Sequence, residues 1–173
     1  MKEVMIRPEL CMGCRSCEIA CAVEHSKKKE LFSAIREKPT PKKRIYVEYI
    51  PELAVPVPVT CRHCEDAPCT TICPTGAISR DELTRKVIHD PEFCIGCWAC
   101  SMVCNYGVIG KEKEARVAVK CDLCPDREVP ACVVACPTNA LVFAEVEEFS
   151  GIKRAKVALK MAKGVQMGAG KAH

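Results

Sequence analysis

Short runs of apolar and alternating residues along the chain predict several short strands and one helix. Five runs rich in β-branched or aromatic residues fit strands. They are Val4–Ile6, Ile45–Ile50, Val87–His89, Arg116–Lys120 and Ala140–Val146. From residue 150 on, the spacing of apolar residues changes to that of a basic amphipathic helix. The apolar positions of this predicted helix are Ile152, Ala155, Leu159 and Ala162.

Sixteen cysteines in 173 residues interrupt this pattern, and they fall into four groups of four. Two compact groups with the spacing C-x2-C-x2-C-x3-C are Cys11, Cys14, Cys17, Cys21 and Cys94, Cys97, Cys100, Cys104. Two looser groups, in which the last cysteine begins the phrase CPT, are Cys61, Cys64, Cys69, Cys73 and Cys121, Cys124, Cys132, Cys136. The alternation of compact and loose groups indicates tandem duplication of a two-motif unit.

The N-terminal sequence MKEVMIRPEL predicts a cytosolic protein, because it lacks the apolar core and the small-residue cleavage site of an export signal. No stretch approaches the roughly 20 apolar residues that span a bilayer. Thiols stay reduced in the cytosol, so cysteine clusters there bind metal more often than they form disulfides. We therefore expect metal sites, a cytoplasmic location and no direct membrane span.

The spacing of the compact groups favours iron–sulfur clusters over structural zinc. Zinc usually takes two cysteines from each of two separated knuckles, which leaves no role for a third cysteine just beyond. The run C-x2-C-x2-C-x3-C-P is typical of bacterial ferredoxins, in which three thiolates bind one [4Fe–4S] cube and the fourth binds the other. Here the proline follows the loose groups instead, as Pro74 and Pro137. Sixteen thiolates at four per cube predict four [4Fe–4S] clusters.

The order of the groups predicts how they pair. Residues 61–104 have the layout of one complete two-cluster ferredoxin, so the two outer groups pair around it. Reciprocal ligation then gives four ligand sets, which we number from the N-terminus. They are set 1 (Cys11, Cys14, Cys17, Cys136), set 2 (Cys21, Cys121, Cys124, Cys132), set 3 (Cys61, Cys64, Cys69, Cys104) and set 4 (Cys73, Cys94, Cys97, Cys100).

This pairing predicts an α+β fold of two pseudo-symmetric bacterial-ferredoxin-like units, one inserted into the other, with short strands and short helices around four clusters. The outer unit comprises residues 1–25 and 105–149, and the inner unit residues 59–104. Residues 26–58 are a proline-rich, basic insertion with one strand, and residues 150–173 form a basic amphipathic tail.

With these motifs, roughly residues 1–149 resemble the four-cluster polyferredoxin subunits of molybdenum oxidoreductases, formate dehydrogenases, hydrogenases and carbon monoxide dehydrogenases. The resemblance implies the same pairing and one-electron transfer instead of catalysis. The stretch CMGCRSCEIACAVEHS is most similar to the electron-transfer subunit of carbon monoxide dehydrogenase. It implies that enzyme as electron donor, and a hydrogenase or a flavin-containing NAD(P) oxidoreductase as acceptor. A subunit of a formate dehydrogenase, hydrogenase or molybdenum oxidoreductase is the alternative.

A zinc-knuckle module that binds nucleic acid is the alternative of another class, suggested by the basic runs Lys27–Lys29 and Lys42–Arg44. Base stacking would need aromatic residues among the basic ones, and these segments offer only Phe32, Tyr46 and Tyr49. We therefore predict no nucleic-acid partner.

Three histidines have no assigned part in these sites. Because sixteen cysteines already satisfy four cubes, we expect surface or hydrogen-bonding roles for His25, His63 and His89. The sequence shows no phosphate-binding glycine loop and no nucleophile–base set, so we expect no catalytic residues.

Overall fold

In a computed structural model, which describes the backbone of residues 1–169 and the side chains of residues 1–163, the strands pair into separate two-stranded antiparallel sheets. The pairs are β1 (Glu3–Ile6) with β8 (Leu141–Ala144), β2 (Ile45–Ile50) with β3 (Val55–Thr60), β4 (Ile78–Arg80) with β5 (Val87–His89), and β6 (Gly110–Glu112) with β7 (Val117–Val119). The helices are α1 (Ser16–Glu24), α2 (Leu31–Arg36), α3 (Pro68–Thr71), α4 (Ala99–Val103), α5 (Ala131–Val134) and α6 (Val146–Ala169). The predicted α+β class with short elements is confirmed.

All five predicted strands are present, two of them with the predicted bounds. Strand β8 is shorter than predicted, because Val146 begins helix α6 instead of ending the strand. Strands β3, β4 and β6 and helix α2 were not predicted. Two of these strands have only three residues, which is too short for a two-residue period to appear.

The β2–β3 hairpin contributes to the core, although the sequence places most of it in an inserted loop. Ile45 and Val47 on β2 are buried in an apolar cluster that includes Cys17 and Cys21. Strand β3 carries two prolines in the sequence VPVPVT, and proline lacks the N–H that a central strand must donate. A two-stranded sheet has only edge strands, so it accommodates them.

Two apolar clusters form most of the core, and cysteines supply a large part of both. In the first cluster, Val4, Ile45 and Leu141 pack with cysteines of the outer groups, which are Cys11, Cys17, Cys21, Cys121, Cys132 and Cys136. In the second cluster, Ile78 and Val87 pack with cysteines of the inner groups, which are Cys64, Cys69, Cys73, Cys94, Cys100 and Cys104. Ile109 and Ala118 also join the second cluster, although both lie in the segment that the sequence assigns to the outer unit.

Gly13 and Gly96 occupy equivalent positions in the two compact motifs, and both have left-handed backbone angles, with φ of 73° and 66°. At Gly96 a Cβ atom would lie 2.2 Å from the carbonyl oxygen of Arg116. The glycine before the second cysteine is therefore required by the backbone, because only glycine adopts this conformation without a steric cost.

Helix α6 begins four residues before the predicted start and continues to the end of the described backbone. Its predicted apolar positions Ile152, Ala155, Leu159 and Ala162 are exposed. Residues 170–173, which complete the predicted basic tail, lie outside the described residues. No described helix combines the length and the apolar character needed to cross a bilayer.

The buried Glu18 of α1 generates a testable prediction about stability, because it joins this helix to β2. Its Oε1 accepts the Val47 N–H at 2.7 Å and pairs with Lys43 Nζ at 2.7 Å. The substitution Glu18→Ala leaves that buried N–H without an acceptor, so we expect the free energy of unfolding to fall by about 1–3 kcal/mol. Anaerobic urea denaturation followed by circular dichroism measures the change.

Two variants separate the causes of this loss. Glu18→Gln keeps an acceptor for Val47 and should cost less than Glu18→Ala. Glu48→Ala, on the exposed side of the same strand, should leave the free energy of unfolding nearly unchanged. If Glu18→Ala and Glu18→Gln lower the free energy of unfolding equally, the stabilisation comes from the ion pair with Lys43 and not from the hydrogen bond with Val47.

Candidate metal centres

The four cysteines of predicted set 1 line one cavity. Cys11, Cys14 and Cys17 reach it from the N-terminal motif, and Cys136 reaches it from the far end of the chain. Pairing of β1 with β8 brings these ends together, with Glu3 opposite Ala144 and Ile6 opposite Leu141. Apolar side chains, including Val47, Pro58 and Leu141, complete the wall.

Predicted sets 3 and 4 each line a cavity of their own. Set 3 lines a cavity together with Val87 and Ile109. Set 4 lines a cavity together with Ile78 and Trp98. Both walls combine four thiols with mainly apolar side chains, as in set 1.

The cysteines of predicted set 2 also lie together. Burial raises the pKa of Cys132 far above that of a free thiol, and the charges of Cys121, Cys21 and Cys124 raise it further. These are the other three members of the set. The structure therefore brings together the members of each predicted set, while their assignment as ligands remains a prediction.

Short helices explain how one motif reaches two sets. Cys17 and Cys21 lie one turn apart on α1, so both side chains project from the same face of the helix. Cys17 lines the cavity of set 1, whereas the charge of Cys21 acts on Cys132 of set 2. The pair Cys100 and Cys104, on α4 and at its C-terminal end, divides between sets 4 and 3 in the same way.

The chemistry of these donors fits a metal centre. Burial raises the pKa of Cys17 to about 11 and that of Cys21 to about 12, so these thiols bind protons at neutral pH when no cation is present. A cation that replaces the protons removes the cost of placing several thiolates side by side. Four thiols in each set fit either a zinc ion or an iron–sulfur cube, and the cysteine spacing favours the cube.

Two threonines that the sequence analysis missed contact cysteines in equivalent places. Thr75 Oγ1 lies 3.7 Å from Cys73 Sγ, and Thr138 Oγ1 lies 3.8 Å from Cys136 Sγ. Burial opposes ionisation of Cys73, yet hydrogen bonds from the Ile78 backbone and from Thr75 lower its pKa, and Cys136 has the same pattern. The repeated sequence CPT indicates this contact, since a threonine follows two residues after each of these cysteines, but the prediction from sequence used only its proline.

Two of the three histidines make hydrogen bonds, whereas the buried Nε2 of His89 has no partner among the described residues. His25 Nδ1 lies 2.7 Å from the Cys21 carbonyl oxygen, and its Nε2 lies 3.2 Å from Asp122 Oδ1. His63 is only 3% exposed and lies in the wall of the set 3 cavity. Burial lowers the pKa of His63 to about 3, and the charge of Lys120 contributes.

Ligand atoms of His25, Asp122 and Cys124 lie within 4.8 Å of one another, so these residues could hold a metal ion. Asp122 already pairs with His25 and Arg44. Burial opposes its ionisation, but these partners hold the pKa of Asp122 well below its usual range. Because Cys124 belongs to set 2, we interpret the group as the surroundings of that set.

The basic runs are partly neutralised by acidic neighbours. Lys29 pairs with Glu24 at 2.9 Å, Lys43 pairs with Glu18, and Arg44 pairs with Asp122. A protein surface that binds nucleic acid would need these positive charges for contacts with phosphates, but here they are paired with carboxylates. They count against the zinc-knuckle alternative.

The sequence of this chain matches one protein family and is similar to several named proteins. Residues 54–146 match the 4Fe-4S dicluster domain. Electron transport protein HydN of Escherichia coli (strain K12) is 39% identical, over 86% of this chain and 93% of its own length. Thiosulfate reductase electron transfer subunit PhsB of Salmonella typhi is 37% identical, over 84% of this chain and 77% of its own length.

Among the solved structures, a chain of the active site complex BamBC of benzoyl coenzyme A reductase with benzoyl-CoA is similar to this chain. It aligns with a TM-score of 0.47 and 22% identity, over 96% of this chain and 97% of that one. The two curated relatives are named for electron transport or electron transfer, which confirms the interpretation of the chain as a non-catalytic component. The matched domain, the identity to these relatives and the grouped cysteines agree, and the chain therefore belongs to the 4Fe-4S dicluster domain family of electron-transfer iron–sulfur proteins.

Proposed function

We propose that this chain carries single electrons along four [4Fe–4S] clusters, one in each of sets 1 to 4, between a redox enzyme and an acceptor protein. Such clusters, when bound, supply one-electron carriers whose potentials depend on charge, hydrogen bonds to sulfur and solvent exposure. The proposal includes the two-unit arrangement, with sets 1 and 2 in an outer unit and sets 3 and 4 in an inner one.

The observation that carries this proposal is the serial order of the four sets. Cys17 of set 1 lies close enough to Cys132 of set 2 that its charge raises the pKa of Cys132. Cys61 of set 3 acts in the same way on Cys121 of set 2. The turn from Cys100 to Cys104 connects set 4 with set 3. From these proximities we infer that the sets neighbour one another in the order 1, 2, 3, 4.

Solvent exposure supports the two ends of this order as the points where electrons enter and leave. Cys14 of set 1 and Cys97 of set 4 are the two exposed cysteines, and the other fourteen are buried or half-buried. Both are the second cysteine of a compact motif, held in a loop by Gly13 or Gly96. A partner can approach sets 1 and 4 closely, while sets 2 and 3 lie between them.

Buried polar groups of the chain prepare the middle of the path for negative charge. The Lys120 ammonium is buried and donates to the carbonyl oxygens of Val87 at 2.5 Å and Cys121 at 2.8 Å. Val87 lines the cavity of set 3 and Cys121 belongs to set 2, so this positive charge lies between the two sets. The backbone N–H of Arg44 donates to Cys21 Sγ at 3.2 Å, which also favours the thiolate form of Cys21.

We propose the partner enzyme from the sequence resemblance alone. The motif CMGCRSCEIACAVEHS supports carbon monoxide dehydrogenase as the donor, with a hydrogenase or a flavin-containing NAD(P) oxidoreductase as acceptor. The naming of PhsB as an electron-transfer subunit of thiosulfate reductase keeps a related oxidoreductase as the alternative.

The cofactor content tests the number of clusters. Protein purified without oxygen should contain about 16 iron and about 16 sulfide per chain, since each cube holds four of each. Iron, sulfide and zinc are measured on the same sample. A colourless protein with stoichiometric zinc would refute the electron-transfer proposal, and about 8 iron would refute the count of four.

Replacement of Cys21 by serine tests the reciprocal pairing. Because Cys21 is assigned to set 2, the electron paramagnetic resonance spectrum of Cys21→Ser should lose the same signal as that of Cys124→Ser. Cys17→Ser, one turn earlier on the same helix, is the matched control and should lose the signal that Cys14→Ser loses. A Cys21→Ser spectrum that matches Cys14→Ser would show that the whole first motif binds one cluster.

Mixing experiments test the donor. With carbon monoxide dehydrogenase and CO present, the clusters of this chain should be reduced, seen as bleaching of their visible absorbance. Omission of CO is the control. Absence of bleaching at stoichiometric enzyme, in protein that dithionite still reduces, would exclude this donor and leave the four-cluster proposal intact.

A further inference from the structure

His63 and Leu123 occupy equivalent positions in the two loose motifs, which begin CRHC and CDLC. Both have left-handed backbone angles, with φ of 45° and 63°. Both side chains are 3% exposed. His63 packs beside set 3, and Leu123 packs in the apolar cluster that contains Cys21 and Cys132 of set 2. The duplication thus places an imidazole at one centre and an aliphatic side chain at the other.

One hydrogen bond determines where the His63 ring carries its proton. The Val87 N–H donates to His63 Nδ1 at 3.1 Å in a buried contact. A nitrogen that accepts a hydrogen bond bears no hydrogen, so the ring is neutral and its single N–H is on Nε2. The tautomer therefore follows from geometry alone.

The Nε2 atom is buried and has no hydrogen-bond partner among the described side chains and backbone. A buried donor without an acceptor is unfavourable, so native structures rarely leave one unpaired. The cavity that His63 lines offers few acceptors except sulfur. Its other walls are the four cysteines of set 3, apolar side chains such as Ala67 and Val87, and the exposed Asn105.

We propose that the Nε2–H of His63 donates a hydrogen bond to a sulfur atom of the centre held by set 3. This inference rests on the proposed function. A hydrogen bond to sulfur stabilises the reduced centre, which is the more negative state, and so raises its reduction potential. Leu123 has no donor to offer set 2. The histidine at position 63 therefore makes set 3 easier to reduce than it would be with leucine there, as at the equivalent position 123.

The test exchanges the two side chains and measures reduction potentials on the full chain with all clusters bound. His63→Leu copies the Leu123 position and should reduce the ratio of reduced to oxidised set 3 about tenfold at a fixed ambient potential. This tenfold change corresponds to a reduction potential lowered by about 59 mV for a one-electron couple. Leu123→His should shift set 2 in the opposite direction. Redox titration followed by electron paramagnetic resonance gives both values.

His63→Asn separates the hydrogen bond to sulfur from the support of the backbone. The Asn side-chain oxygen can still accept the Val87 N–H, and Asn tolerates left-handed angles, but its side chain ends short of the Nε2 position. This variant should show the same lowered potential as His63→Leu. An unchanged potential in His63→Asn would overturn the proposal.

Assignment and folding are controlled independently. Cys64→Ser removes a ligand of set 3 alone and identifies its signal. If the His63 variants lose iron, pulsed measurements on the native chain labelled with ¹⁵N-histidine decide the question. Hyperfine coupling of a histidine nitrogen to reduced set 3 is expected, and its absence would overturn the proposal. A chain that binds zinc instead of iron would refute the proposed function, an outcome distinct from an iron-loaded chain with unshifted potentials.

Discussion

Packing sulfur against sulfur in an apolar interior is the constraint on which this structure depends. Thiols of neighbouring cysteines lie together in both core clusters, and burial raises their pKa values. Ionised without a cation, they would repel one another in a medium that screens charge poorly. Aromatic residues make up only 5% of the sequence, and cysteines supply a large part of both core clusters. We therefore expect metal binding to be coupled to folding.

The grouping of cysteines was accessible from sequence because ligand spacing is a local property. A helical turn separates Cys17 from Cys21, and the ferredoxin-like spacing of the whole motif predicts that these two cysteines bind neighbouring clusters. The strand Ile45–Ile50 was likewise recognisable from its composition. Strand β3 was not, since its two prolines are normally evidence against a strand and become acceptable only opposite a single partner. The role of Thr75 was missed for another reason, because its contact with Cys73 depends on a turn whose shape the sequence does not reveal.

The repeated cysteine motifs share local backbone features and differ in selected side chains. Gly13 matches Gly96, and the left-handed Arg15 matches the left-handed Trp98. Thr75 and Thr138 make the same contact with their cysteines. His63 and Leu123 break this equivalence at a buried position, where chemistry matters more than shape. Equivalent positions in the repeated motifs can thus differ in chemistry while both keep a left-handed backbone angle.

The pairing of β1 with β8 has a consequence for the order in which the protein is made. The cavity lined by Cys11 also requires Cys136, so a nascent chain cannot close it until nearly the whole sequence has been synthesised. The cavities of sets 3 and 4 use cysteines between Cys61 and Cys104 and can close earlier. The N-terminal motif, although translated first, is among the last to be completed.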